Sequence, residues 1–442
     1  MTLASFASSQ TEQALRAPPG LYVEDALATT VEPVQFPTGV PAFVGFASVD
    51  PAMRRRSGPP GIALERWDSR MWDRGDIAPA PGSFLRAAVR GFFANGGKRC
   101  VIFAVVQASE ETGARALTRM LAPGGPLSDR SDIDLLCLPD AQAPWVADDA
   151  ARRDVQLSAL RHCESMGDRF ALLDAPMSVV AKPGEREPAF LALLGAASEL
   201  RSAFGALYGP WIEVDPNWEG QTPRAVDSAG WRYLDPSRKS AAGTPAAAPS
   251  TYMPPCGHIA GLVARIDAKV GAQHAPANEM LEGVFDTALY LTPAQRGRLN
   301  EAGVNCIHMV RGHGIRVGGA RTLSNQGAWA YVSTARVVLG FRRWLAIGMR
   351  DLVFEPQTPQ LWDTIRNRLV ARCLEMQQAG ALAGGRSGDG FFVKCDSETN
   401  PPEVRDVGSV VAHVGLAPSI PAEFIVIRIV HDAAGFTVSG LS

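Results

Sequence analysis

The sequence predicts an α/β protein with mixed sheets, built as two domains with extended arms at both ends. First, short apolar runs alternate with segments of helical periodicity along most of the chain. Second, 43 glycines and 33 prolines make up about 17% of the 442 residues, against about 12% in an average protein. Third, 46% of the residues are hydrophobic, which favours a folded core over a disordered chain.

The first half of the chain shows this alternation clearly. Apolar residues at helical spacing predict a helix over 83–97, with Ser83 as its N-cap and Asn95 near its end. A strand at 42–47 precedes this helix, and a strand at 98–106 follows it. Further strands are predicted at 132–139, 170–173 and 211–214, with helices near 110–121, 149–166 and 188–204. Residues 48–80 are rich in Pro, Gly and Arg, and are predicted as a surface loop.

The second half predicts a separate domain. Residues 217–250 are poor in apolar side chains and are predicted as a linker or long surface loop. Helices are then predicted at 293–302, 330–348 and 359–379, and strands at 304–309, 391–394, 409–415 and 424–430. The predicted organisation is an arm at 1–21, a domain at 22–216, the linker, a domain at 251–423, and a C-terminal strand and arm at 424–442.

Charge and composition exclude several functional classes. The net charge of −2 argues against nucleic acid as a ligand. The longest apolar stretch, 189–197, is about nine residues, far short of the roughly 18 that span a bilayer. Residues 1–20 lack the features of a signal peptide. Seven scattered cysteines without a CxxC pair predict buried free thiols and folding in the cytoplasm.

No enzymatic constellation emerges from the motifs. Gly96–Lys98 misses the phosphate-loop spacing and joins a helix to a strand, so a helix C-terminus is predicted there. The glycine-rich segment 312–320 predicts a turn or bulge between two strands. The histidines and cysteines lack the spacing of metal ligands, and no nucleophile, base and orienting group can be assembled. Neither catalytic, cofactor-binding nor metal-binding residues are therefore predicted.

The predicted helix at 359–379 carries one notable pattern. Its apolar residues form a single stripe: Leu361, Trp362, Ile365, Leu369, Cys373 and Met376. Arg366, Arg368 and Arg372 flank that stripe. Two interpretations stay open, a solvated basic edge or a ridge that docks on an acidic partner.

Several sequence blocks, taken in order, resemble one protein family. The N-terminal blocks are PPGLYVED (18–25), TGVPAFVGFA (38–47) and SFLRAAVRGFFANGGKRCVIFAVV (83–106). The most specific blocks follow later: PPCGHIAGLVARIDAKVGAQHAPANE (254–279), AGVNCIHMVRGHGIRVGGARTLS (302–324) and PAEFIVIRI (421–429). Together they resemble the sheath proteins of contractile phage tails and phage-tail-like contractile injection systems. Gly318 departs from the pattern, because a tryptophan is expected there.

This resemblance implies a structural subunit without an active site. Such subunits form six-fold rings stacked helically around an inner tube, between a baseplate and a terminal cap, and contract to drive the tube through a target envelope. The domain at 22–216 would lie outside and the domain at 251–423 beside the tube. The particle would assemble in the cytoplasm and could be released from the cell. No contact with nucleic acid and no insertion into a membrane are expected.

The resemblance also implies roles for particular residues. Arms of neighbouring subunits add strands to each other's sheets. The candidate arm residues are Leu21, Tyr22, Val23, Phe424, Ile425, Val426, Ile427, Phe436 and Val438. Arg366, Arg368 and Arg372 are candidates for contact with the inner tube. Two alternatives remain: a cap or baseplate adaptor of the same particle, or an oligomeric α/β enzyme with an unrecognised site.

Overall fold

The structure is a computed structural model. It describes residues 38–56, 60–106, 111–146, 148–176, 186–214, 251–352, 355–384, 389–406, 408–421, 426–432 and 435–441. Leu21, Tyr22, Val23, Phe424, Ile425 and the predicted linker at 217–250 lie outside these residues.

Strands and helices follow each other along the described chain. The strands are β1 (Pro41–Val49), β2 (Ile62–Leu64), β3 (Ile77–Pro79), β4 (Cys100–Val105), β5 (Leu135–Cys137), β6 (Phe170–Asp174), β7 (Gly205–Gly209), β8 (Ile212–Val214), β9 (Thr251–Met253), β10 (Val284–Thr287), β11 (Val304–Val310), β12 (Gly314–Val317), β13 (Phe391–Lys394), β14 (His413–Leu416), β15 (Val426–Asp432) and β16 (Gly435–Leu441). The helices are α1 (Pro51–Arg56), α2 (Ser69–Asp73), α3 (Leu85–Ala94), α4 (Gly113–Met120), α5 (Asp149–Met166), α6 (Arg186–Glu199), α7 (Cys256–Val270), α8 (Pro293–Glu301), α9 (Val332–Gly348), α10 (Pro359–Gln378) and α11 (Pro402–Asp406).

The central sheet has nine strands in the described part of the chain. Its order is β12-β11-β7-β6-β5-β1-β4-β2, and β3 pairs with β1. The pairs from β11 across to β4 are all parallel, whereas β12, β2 and β3 pair antiparallel. The chain passes from β1 to β4 on one side and then to β5 on the other, as in doubly wound α/β folds. The predicted α/β class with mixed sheets is therefore confirmed.

Two apolar layers cover the central sheet. One face packs against α3, α7 and the first half of α9, through residues such as Phe92, Ile259 and Ala335. The other face packs against α4, α5, α6 and α8, through residues such as Leu117 and Phe190. Strands buried on both faces explain the continuous apolar runs in the sequence, such as Cys100–Val105.

Glycines bring α3 and α7 into close contact. A Cβ added at Gly257 would overlap the backbone carbonyl of Ala88, and one added at Gly261 would overlap that of Phe92. On the facing helix, a Cβ at Gly91 would overlap the buried His258 ring. The two helices pack almost backbone to backbone, which only glycine allows at these positions.

A second, smaller apolar core is separate from the two layers that cover the central sheet. It comprises Val337 and Phe341 of α9 and Leu369, Cys373 and Met376 of α10, with β13 and β14 packed against it. We call α9, α10, β13 and β14, with their connections, the C-terminal unit. The antiparallel pair β15–β16 follows it.

The central sheet draws on residues before and after 217–250, because β11 pairs with β7. Strands from both sides of the predicted linker thus belong to one sheet. The division into an outer domain (22–216) and an inner domain (251–423) stays a prediction about the assembled particle.

Two segments differ from the sequence predictions. Residues 48–80 were expected to be a surface loop, but they hold β2, α2 and β3, with Ile62, Trp72 and Ile77 buried. No helix was predicted over Cys256–Val270, yet α7 is among the most buried helices described. Gly257 and Gly261 lower helix propensity, and their packing role is invisible in the sequence.

Candidate inter-subunit surfaces

The crevice at the carboxyl ends of β1 and β5 is where doubly wound folds usually bind ligands. Here the carboxylate of Asp140 occupies it. The Asp140 carboxylate accepts hydrogen bonds from the Phe46 and Phe84 backbone N–H groups and from the Ser83 hydroxyl, each at 2.6 Å. Burial raises the pKa of Asp140 to about 6. The side chain best placed for chemistry is thus engaged in joining β1 to the start of α3.

The next candidate acid, Asp174, ends β6 and is engaged in the same way. Its Oδ1 accepts the Cys256 backbone N–H at 2.7 Å, which satisfies a free donor in the first turn of α7. Burial raises the pKa of Asp174 to about 7.

Histidines and cysteines in the described residues also serve packing. All seven cysteines are free and buried, and burial raises the pKa of Cys256 well above its usual value. Burial lowers the pKa of His258 to about 3, so the ring against Gly91 is neutral. No cluster of three or more His, Cys, Asp or Glu suited to a metal lies within the described residues.

The glycine-rich motifs have structural roles. Gly96 takes φ = +99°, and the Gly97 N–H donates to the Phe92 carbonyl at 3.0 Å, so this GGK segment ends α3. Residues 311–313 form the turn between the antiparallel strands β11 and β12. The predicted helix end is confirmed, and the predicted turn is confirmed only for the start of 312–320, because Gly314–Val317 forms β12.

The apolar stripe of α10 lies as the spacing predicts. Leu361, Trp362, Leu369, Cys373 and Met376 are buried, and Ile365 is half-buried against the same core. The helix begins at a Thr358 N-cap followed by Pro359.

Each of the three predicted tube-contact arginines has a carboxylate partner in this chain. Arg366 contacts Asp363 at 2.7 Å, Arg368 contacts Asp351 through both guanidinium nitrogens at 2.6 and 2.8 Å, and Arg372 contacts Glu375 at 3.0 Å. The Arg372 guanidinium also lies 5.8 Å from the centre of the Trp344 ring. Arg366 is the most exposed of the three, at 44%.

Intramolecular pairing sets how these arginines could engage a partner. Exposed ion pairs contribute about 0–1 kcal/mol, so a partner's carboxylate could replace Asp363 at small cost. A partner's carboxylate would replace Asp351 less easily, because Arg368 and Asp351 form a bidentate pair with two hydrogen bonds.

The pair β13–β14 forms a two-stranded antiparallel sheet in the described residues. Phe391, Val393, Val414 and Leu416 alternate along the strands toward α10, but all four stay only half-buried. On the opposite face Phe392 is 62% exposed, and its ring lies over Gly415. A two-stranded sheet is at most marginally stable alone, and this one leaves its apolar face incompletely covered.

The candidate arm residues Val426, Ile427, Phe436 and Val438 all lie in β15 and β16. Val426 pairs with Leu441 and Asp432 with Gly435, so the two strands form a hairpin. In the described structure this hairpin pairs with no other strand.

Sequence reasoning missed the charged groups beside α9. Arg336 lies inside the apolar run STARVVLGF and is buried against Asp134 and Asp267. An arginine within such a run is itself a signal, because a buried charge requires a partner. Its partners could not be identified, since they lie far away in sequence.

None of the described helices is both long and apolar enough to cross a membrane.

Comparison with known proteins relates part of the chain to one family. Residues 130–323 match the family model described as the phage tail sheath protein central domain. That range includes β5 to β12 and most of the central sheet. A search of curated protein sequences gave no significant match.

Solved structures extend the similarity beyond this range. A chain of the contracted PVC sheath complex, from an extracellular contractile injection system, is 24% identical with a TM-score of 0.65, covering 95% of this chain and 98% of that chain. A chain of the contracted helical sheath of the anti-feeding prophage is 23% identical with a TM-score of 0.66, covering 94% and 99%. A chain of the six-fold symmetrised baseplate of the same prophage is 22% identical with a TM-score of 0.66, covering 94% and 99%.

At these identities the solved structures establish the fold, and the family model adds the sequence pattern. The resemblance stated from the sequence is thus confirmed: the chain has the fold of contractile sheath proteins, and its residues 130–323 match the model of the phage tail sheath protein central domain.

Proposed function

We propose that the chain is the structural subunit of a contractile sheath, which polymerises as stacked six-fold rings around an inner tube and contracts to drive that tube through an envelope. The observation that carries the proposal is the match of residues 130–323 to the sheath central domain. Fold similarity to two contracted sheaths supports it. The acids Asp140 and Asp174 also favour a structural role, because both are engaged by backbone donors.

The half-covered sheet β13–β14 is the proposed acceptor of a neighbour's strand. Its strands have open outer edges in the described structure, and its apolar face lacks full cover. An added strand would gain backbone hydrogen bonds and bury the residues facing α10. The donors would be the arms of neighbouring copies, at 1–21 and 424–442. Leu21, Tyr22, Val23, Phe424, Ile425, Val426, Ile427, Phe436 and Val438 are the proposed arm residues.

Donated strands suit a contractile polymer. A helical assembly needs contacts between different surfaces that do not close on themselves. Backbone pairing through arms keeps neighbours connected while the subunits rotate and slide.

The energy for contraction would be stored during assembly. The extended sheath would be a kinetically trapped state, and the contracted sheath the state of lower free energy. At about 25 cal/mol per Å², an extra 200 Å² or so of buried apolar surface per subunit yields about 5 kcal/mol. Summed along a sheath, this would suffice to move the tube.

Contact with the tube is proposed for the exposed side of α10. Arg366 would exchange Asp363 for an acidic residue of the tube, with Arg368 and Arg372 beside it. We expect the Arg366→Glu variant to fold normally but to give few extended sheaths on tubes. Arg115→Glu, at an exposed position of α4, is the matched control. Normal extended particles with Arg366→Glu would contradict the tube contact.

Electron microscopy of the purified chain tests the function itself, with and without the inner-tube protein. Long hollow tubes or stacked six-fold rings are expected. The fold also occurs in a baseplate assembly, so a cap or baseplate adaptor is the second candidate, and it would give single rings of fixed height. A small closed oligomer in both conditions would contradict both and favour an α/β enzyme.

The proposed partners are further copies of this chain, the inner tube, the baseplate and a terminal cap, without nucleic acid. Assembly would occur in the cytoplasm, before any release of the particle.

A further inference from the structure

Helix α9 belongs to both apolar cores. Val332, Ala335 and Leu339 pack into the core of the central sheet. Val337 and Phe341, on the opposite side of the helix, pack into the core of the C-terminal unit. The position of the C-terminal unit relative to the sheet therefore depends on how α9 is held.

Buried charges hold α9 in place. The Arg336 guanidinium binds Asp267 of α7 through two hydrogen bonds, at 2.8 Å from Nη1 and 2.5 Å from Nη2. The same Nη2 lies 3.2 Å from Oδ2 of Asp134, which precedes β5. All three side chains are at most 8% exposed. About two turns further along α9, Nη1 of Arg343 lies 3.9 Å from Oδ2 of Asp134, so two cations face two anions.

Asp134 has a second set of partners at the start of β1. Its Oδ2 accepts the Gly39 N–H at 3.0 Å, and its Oδ1 accepts the Val40 N–H at 2.6 Å. Gly39 has φ = +73°, and a Cβ there would overlap Ala264 of α7. Gly39 and Val40 follow Thr38, the first described residue, and we call them the root of the N-terminal segment. One carboxylate therefore contacts both this root and α9, the first helix of the C-terminal unit.

This arrangement depends on the shape of arginine. A planar guanidinium can bridge two carboxylates at once, whereas the ammonium of lysine is a point charge on a flexible stem. The Arg336 side chain therefore fixes a direction as well as a charge.

We propose that Asp134 and Arg336 are positioning residues, which hold the root of the N-terminal segment at a fixed place relative to the C-terminal unit. This inference rests on the sheath proposed above. There, the root would lead to an arm donated to a neighbour, and the C-terminal unit would accept an arm from another neighbour. A fixed separation would transmit the pull of one neighbour to the next and keep each subunit rigid while the sheath contracts.

The test uses the full-length chain with Arg336→Lys, which keeps the charge and removes the bridge. Arg350→Lys, at an exposed position just beyond α9, is the matched control. Hydrogen exchange is measured at the Gly39 and Val40 amides and at the strands β13 and β14, and sheath length is measured in particles formed with the tube protein.

We expect Arg336→Lys to speed exchange at Gly39 and Val40 by about tenfold or more. Exchange in β13 and β14 should stay unchanged, extended sheaths should be lost or shortened, and Arg350→Lys should match the wild type. Wild-type protection at Gly39 and Val40, or sheaths of normal length, would overturn the proposal. Faster exchange throughout the chain would also overturn it, in favour of a purely stabilising role.

If Arg336→Lys does not fold, Arg343→Lys is the second variant. We expect a smaller increase in exchange at Gly39 and Val40 and a smaller loss of sheath length. The results that would overturn the proposal are the same as for Arg336→Lys. Failure of the sheath function is distinguishable, because the wild type would then form no sheath, while exchange at Gly39 and Val40 would still decide whether Arg336 holds the root of the N-terminal segment through Asp134.

Discussion

The central sheet and the C-terminal unit differ in how completely the apolar faces of their strands are covered within one chain. In the sheet, strands such as Phe170–Asp174 are buried on both faces, between two layers of helices. In the C-terminal unit, the strand Phe391–Lys394 has one face on α10 and leaves even that face half-buried. The first region is complete within one chain, whereas the second gains from further cover. This contrast is what the proposed sheath subunit would require, namely a rigid body and a surface for a neighbour to complete.

The largest effect should come from the close contact of α3 and α7 in the complete region. Gly257→Ala places a methyl group against the Ala88 carbonyl, and overpacking of a rigid interface typically costs 1–3 kcal/mol, here about 3 kcal/mol of unfolding free energy. Gly297→Ala in α8, where a Cβ meets no atom within 4 Å, is the control and should stabilise by about 0.5–1 kcal/mol. Chemical denaturation measures both. Equal effects of the two substitutions would show that the helices are not in close contact.

The second effect is a pH dependence that also belongs to the sheet. Burial raises the pKa of Asp174 from 3.8 to about 7 and that of Asp140 to about 6. A raised native pKa means that the stability from protonation is complete below 3.8 and is lost as the pH rises through 6 and 7. These two carboxyls should thus lower the unfolding free energy as the pH rises from about 4 to about 7, by at most about 1.4 kcal/mol per pH unit for each proton, and contribute no further change above that range.

Asp174→Asn removes this titration and keeps an oxygen to accept the Cys256 N–H. Relative to this variant, the wild type should lose unfolding free energy as the pH rises from about 4 to about 7. His258 acts in the opposite direction, because its lowered pKa makes the unfolding free energy rise between about pH 3 and pH 6.5. Its contribution is the same in the wild type and in the variant, so it cancels when the two proteins are compared. If the unfolding free energy has the same slope against pH in both proteins, the titrating group is not Asp174.

The smallest effect should come from the incomplete region. Phe392 is 62% exposed, and its ring covers the Cα of Gly415. Phe392→Ala should lower the stability of the isolated chain by about 0.5 kcal/mol, the middle of the range for a cross-strand pair. If the exposed face of β13 also contacts a neighbour, the same variant should shorten sheaths noticeably. Thermal unfolding and electron microscopy separate the two effects, and a loss of several kcal/mol in the isolated chain would mean that β13 is already part of a complete core.

Local rules predicted the elements whose boundaries are marked in the sequence. Helix α5 begins at Asp149 after an Asp148 N-cap and ends before Gly167 in the left-handed region, and its predicted range of 149–166 matches. Helix α10 and its apolar stripe were predicted for the same reason, since Thr358 and Pro359 mark its start.

Contacts between distant segments could not be predicted from one sequence. Helix α7 was missed because Gly257 and Gly261 act against helix propensity, and their purpose is the contact with α3. The partner of Arg368 was missed for a similar reason, whereas Asp363 and Glu375 lie three residues from Arg366 and Arg372 on α10, a spacing that the sequence does show. Asp351 lies 17 residues before Arg368, so no helical spacing links them.

The most direct test of the contrast is hydrogen exchange at β13 and β14, compared between the isolated chain and the assembled sheath, with β6 as the internal reference. In the isolated chain, β13 and β14 should exchange about 100-fold or more faster than β6, because their core is only half covered. In the sheath their exchange should slow toward that of β6, whose own rate should stay unchanged. Equal protection of β13 and β14 in both states would contradict the claim that a neighbouring subunit completes this sheet.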